Sequence, residues 1–166
     1  MISSEDTFTL AVAAARSAAA RVPDQLADVR ELDDGVLLAS QRELSELRRI
    51  VDARSSLVAG EIAYRSRREL GYTGLAQKQG FQSAEKLIQS ATGSSRWDAT
   101  TLVTAGTLVH EAMIADSADP DTGEIPEGFS VREPWLAAVG AAVAKGLLTI
   151  DAARAIRSGL GEPRSD

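Results

Sequence analysis

The sequence predicts an all-α protein, a multi-helix bundle built on one long central helix, with a helix-turn-helix-like hairpin beside it. Three observations carry that prediction. Apolar residues make up 44% of the chain and aromatics only 4%, with Ala, Leu, Arg and Glu, all good helix formers, dominating. Apolar residues recur at threes, fours and sevens, and the Val/Ile/Thr alternation of strands is missing. Ser or Thr caps precede the apolar runs, several with an acidic residue three positions later.

The elements follow in order. A first helix starts at Ser3, with Asp6 as capping-box partner, runs through TFTLAVAAARSAAAR and stops before Pro23. The long helix is expected from Asp34 to Leu70. Its apolar stripe is Leu37, Leu44, Leu47, Ile50, Val51, Leu57, Val58 and Ile62, it contains no proline, and Gly71 is the natural stop. That stripe suits packing against another helix of the chain, with homodimer pairing as the alternative. Two short helices are expected at Leu75–Gln79 and Ser83–Ala91, with Phe81 as a staple for the second. Ser95 and Asp98 open a helix that runs to Ala115. The Asp-, Pro- and Gly-rich segment 116–129 is a loop. Ser130 and Glu133 form a third capping box ahead of a helix over Trp135–Lys145, with Pro134 tolerated in its first turn. Gly146 ends that helix, and Thr149 caps the last one, IDAARAIRSG.

Charge is uneven along the chain. The net charge of −6 separates into −4 over residues 1–40, +4 over 41–97 and −6 over 98–166. The average opposes indiscriminate coating of nucleic acid, whereas the basic middle can turn one face towards phosphate. The start, MISSEDTFTL, lacks the features of a signal peptide, and no apolar run reaches the ~20 residues of a membrane span. A cytoplasmic protein without a membrane partner is expected.

Catalytic centres are tested by subtraction. Without cysteine, disulfides, thiol catalysis and Cys-held zinc are excluded. His110 is the sole histidine, so a hydrolytic zinc site, a Ser-His-Asp triad or an HNH centre lacks its parts, and a packed or solvated His110 is expected. No phosphate-cradling glycine motif occurs. The loop residues Asp119, Asp121, Gly123 and Glu124 lack the third ligand and the twelfth-position glutamate of a calcium hand. Neither a cofactor nor a metal is therefore expected.

The most informative string is IQSATGSSRWDATTLV, residues 88–103. A helix, a turn at Gly93, a cap at Ser95 and apolar Ala99, Leu102 and Val103 match a helix-turn-helix pattern. Ser95, Arg96, Trp97 and Thr100 then stand at the start of the second helix, where recognition helices meet phosphates or base edges. With Arg65, Arg67 and Arg68 from the long helix and Lys86 from the hairpin, they are the candidate nucleic-acid-binding residues. A plain helical hairpin with Trp97 as a core anchor is the alternative. A second hairpin, turning at Gly146, has acidic surroundings that suit packing better than DNA reading.

Three segments together resemble a known family. These are GYTGLAQKQGFQSAEKLIQSATGSSRWDATTLV, DPDTGEIPEG and PWLAAVGAAVAKGLLTIDAARAIRSGLGEP. They are similar to the helical domain of unknown function 222, also described as part of the 13E12 repeat family and typical of actinobacterial proteins. The resemblance divides the chain into an N-terminal helix and connection over 1–33, the module over 34–163 and a tail over 164–166. It implies a non-catalytic module that precedes an HNH endonuclease domain. A divalent metal would belong to that domain, whose residues do not follow here, so the chain is expected to be a piece of a longer protein. The partner implied is DNA; the apolar stripe of the long helix, read by itself, leaves a second copy of the chain as the other candidate partner.

Overall fold

The structure, a computed structural model, describes residues 3–119, 122, 124–125, 129, 131 and 133–160. It is all-helical, with no strand among the described residues: α1 (Ser4–Ala19), α2 (Leu26–Arg30), α3 (Asp34–Arg65), α4 (Leu75–Lys78), α5 (Ala84–Thr92), α6 (Arg96–Asp116), α7 (Ala137–Ala144) and α8 (Ile150–Leu160). The chain separates into two compact units, Met1–Leu44 and Ser45–Asp166.

In the first unit, the Ser3 hydroxyl accepts from Glu5 N while Ser3 N donates to the Asp6 carboxylate, closing the expected capping box. The short helix α2 was not foreseen from the sequence, and it holds no buried residue. Phe8, Leu10, Val12 and Leu26 are all exposed.

The second unit is organised around α6, which buries residues all along its length, from Ala99 to Ile114. One core cluster joins Ala59 of α3, Ala84 and Ile88 of α5, and Ala99 and Val103 of α6. The other joins Leu108 and Val109 of α6 with Leu136, Val143 of α7 and Ala153 of α8. Residues on α3 meet α6 at very short range. A Cβ added to Gly106 would lie 2.5 Å from both Gly60 N and Ser56 O, so only glycine allows this approach.

Several boundaries differ from expectation for identifiable reasons. The long helix is unbroken but stops at Arg65, five residues short of Leu70. The chain turns extended at Arg67 and makes a 3₁₀ turn over Arg68–Thr73, with Gly71 inside it at φ 49°. Buried Ser66 holds this exit in place, its hydroxyl accepting from Ala76 N at 3.1 Å. The apolar stripe of α3 is not its buried face. Leu37, Leu44, Leu47, Ile50, Val51 and Val58 are each at least 40% exposed, whereas Ala53, Ser56, Ala59 and Gly60 are buried. Of the stripe, Leu57 and Ile62 are the residues that pack against a core, each half-buried. Small residues win because close backbone contact leaves no volume for Leu or Val.

The helix expected from Trp135 begins as a 3₁₀ turn, Pro134–Leu136, and becomes α-helical at Ala137. Ser130, its expected cap, lies outside the described residues, as do Asp121 and Gly123 of the loop and the tail after Leu160. Glu133 makes no side-chain cap on the turn, and its carboxylate pairs with Arg157 at 2.8 Å. Thr149 behaves as expected, accepting from Ala152 N at 3.2 Å.

Candidate nucleic-acid interface

The α5–α6 hairpin forms as the sequence predicts. Ser83 caps α5, which ends at Gly93 in the left-handed region with φ 68°. Ser95 then caps α6, accepting from Asp98 N at 3.1 Å. The Ser95 hydroxyl itself donates to the Asp98 carboxylate at 2.7 Å. The expected register holds: Ala99 and Val103 are buried and Leu102 packs beside them, so Arg96 and Trp97 point away from the core.

Trp97 is not a core anchor. It is 53% exposed, and the Arg154 guanidinium of α8 lies over its ring, 4.8 Å from the centroid. The first turn of α6 thus presents Arg96, Trp97 and, from across the fold, Arg154. Arg154 is a site residue that sequence reasoning missed. The hairpin turning at Gly146 does pack, through Ala153, Ile150 and Ile156, but one of its arginines reaches this surface. Thr100 is half-buried, and its hydroxyl donates back to Arg96 O at 2.8 Å, so it is less available than its position suggested.

Of the three arginines expected on the long helix, Arg65 ends it while Arg67 and Arg68 lie in the exit beyond it. Arg65 is ion-paired with Glu61 at 2.5 Å. Arg67 lies over the Tyr64 ring at 4.0 Å and donates to Tyr64 O at 2.9 Å. Arg68 is exposed in the 3₁₀ turn. Tyr64 in turn stacks on His110, thirteen residues beyond Trp97 in α6 and so about 20 Å further along that helix. Arg65 and Arg67 are therefore engaged within the fold at a different level of α6 from Arg96. Lys86 is exposed on α5, its ammonium donating to Gln82 Oε1 at 2.7 Å.

His110 belongs to a small polar cluster that no local pattern announced. Its Nε2 is 3.1 Å from Glu61 Oε2, forty-nine residues away in sequence, and the Phe129 ring stacks on Tyr64 at 5.4 Å and lies 6.4 Å from the His110 ring. Partial burial pushes the Glu61 carboxyl up, but hydrogen bonds and charge from Arg65 and then His110 outweigh it, and the net pKa is lowered. Buried Glu111 accepts from Glu133 N at 3.3 Å. An open cleft of about 350 Å³ lies between Glu46, Arg49 and the Gly146–Thr149 turn, and its two lining charges already pair with each other.

Among the described residues, no group of three or more His, Asp or Glu side chains is placed to hold a metal ion. No helix among them is long and apolar enough to cross a membrane. Compared with family models, curated proteins and solved structures, the chain matches none.

Proposed function

We infer that this chain is a non-catalytic helical module that positions nucleic acid for an HNH-type endonuclease domain. The observation that carries the reading is Trp97, a large aromatic left half-exposed beside Arg96 and under Arg154 at the start of a capped helix. A ring with one guanidinium over a face offers the other face for stacking, and the guanidiniums of Arg96 and Arg154 offer charge to phosphate. The basic balance of residues 41–97 and the resemblance to the domain of unknown function 222 support it. Lys86 and Arg68 add exposed positive charge, while Arg65 and Arg67 contribute less because their partners are internal.

The test is binding of this chain to duplex and single-stranded DNA at two salt concentrations, with affinity expected to fall steeply as salt rises. Arg96→Ala is expected to weaken binding by ~1–3 kcal/mol without lowering the melting temperature. Arg154→Ala should weaken it as well. Failure of the unmodified chain to bind any DNA at low salt overturns the reading. It would favour a structural or oligomerisation module, for which the exposed stripe of α3 already speaks.

A further inference from the structure

We propose that α3 pairs with α3 of a second copy of this chain as a parallel, in-register two-stranded coiled coil. Leu37, Leu44, Val51 and Val58 are spaced by seven residues and all are 40–49% exposed. With these as the first position of the heptad, the fourth is Ser40, Leu47, Arg54 and Glu61 in turn, so Leu47 is its one apolar member; Val36 and Ile50 flank the seam, and these three apolar residues are 40–48% exposed. A strict seven-residue repeat keeps an apolar seam facing a second helix that supercoils around it, which a period of 3.6 does not do. The seam runs on the side of α3 opposite Ala53, Ser56 and Gly60, the residues already committed to the core.

Charge selects both the occupant and the direction. Glu43 and Arg48 fall at the two heptad positions that flank the seam, five residues apart. In a parallel homodimer each Glu43 meets the partner's Arg48, and symmetry makes the contact twice. An antiparallel pair brings Glu43 opposite another position of its own kind instead, such as Ile50, and loses the match. Arg48 is available for this, its side chain being 81% exposed and its Nε 3.5 Å from Asp52. The seam is strongest over residues 36–51. At position 54 the heptad places an arginine, whose guanidinium reaches Ala144 O at 3.5 Å within its own protomer.

The test is sedimentation equilibrium of the chain over a wide concentration range, with circular dichroism confirming that each variant is folded. A concentration-dependent dimer is expected, and Leu44→Glu should raise its dissociation constant at least about a hundredfold. Glu43→Arg should raise it about tenfold, and the exchanged Glu43→Arg/Arg48→Glu variant should restore it. Because the chain has no cysteine, Leu37→Cys provides an unambiguous probe of direction. In a parallel dimer the two thiols face each other and oxidation gives a covalent dimer. A monomer at every concentration, or a dimer indifferent to Leu44→Glu, overturns the proposal. A dimer that Leu37→Cys fails to cross-link, or that the exchanged variant fails to restore, overturns the parallel arrangement.

Discussion

The two longest helices use opposite means to enter the core. α6 buries residues around most of its circumference, among them Leu108, Val109 and Ile114, and is the element the second unit is assembled on. α3, half as long again, buries only Ala53, Ser56, Ala59 and Gly60 and leaves its large aliphatic residues outside. The difference shows that an apolar stripe marks a face that wants a partner without saying where the partner comes from. Within the second unit, the small face of α3 brings it against Gly106, and its large face stays available.

The contrast is broken most directly at the glycine contact. Gly106→Ala should destabilise the chain by about 3 kcal/mol, because the new Cβ meets backbone atoms of Gly60 and Ser56 that cannot yield as a side chain would. A loss below about 1 kcal/mol in chemical denaturation would mean that α3 and α6 do not approach this closely. Next in size is truncation of a fully buried α6 side chain. Leu108→Ala should cost ~2–4 kcal/mol, while Leu47→Ala, measured dilute enough to keep the chain monomeric, should cost under ~1 kcal/mol. Equal losses at the two sites would erase the distinction between the helices.

Trp97 sharpens the comparison at the exposed end of α6. Trp97→Ala should lower stability by no more than about 1 kcal/mol, against the ~3–5 kcal/mol of a buried tryptophan, while weakening DNA binding. A large loss of melting temperature would place the ring in the core after all.

The smallest effect is at the link between the helices. Glu61 has a lowered pKa, so its stabilising contribution is complete above the ordinary value of 4.5 and is lost as pH falls through the lowered one. Glu61→Gln should therefore cost stability at neutral pH, and the gap from the unmodified chain should close in acid. Because Glu61 is 41% exposed, solvent screening keeps this gap small. A gap that is constant from neutral to acid pH would remove the Glu61–His110 and Glu61–Arg65 contacts as a source of stability.

By itself the sequence determined the helical class and most of the helix ends. Ser3, Ser95 and Thr149 cap where expected, Ser83 caps α5 one residue before it rather than opening it, and Gly93 and Gly146 stop helices at positive φ. These signals are legible because each is closed by hydrogen bonds between residues two to four positions apart, so no distant part of the chain is needed. The exposed Arg96 and the buried Ala99 and Val103 follow from the same local logic once the cap is placed. Tertiary structure alone decided the rest. Helix α3 ends at Arg65 because Ser66 binds Ala76, Arg154 reaches Trp97 from fifty-seven residues away, and His110 finds Glu61 from the other long helix. Which face of α3 is buried was also settled there. A helix period says that a face exists, but burial depends on how near another backbone can come, and that distance is set by pairs such as Gly60 and Gly106.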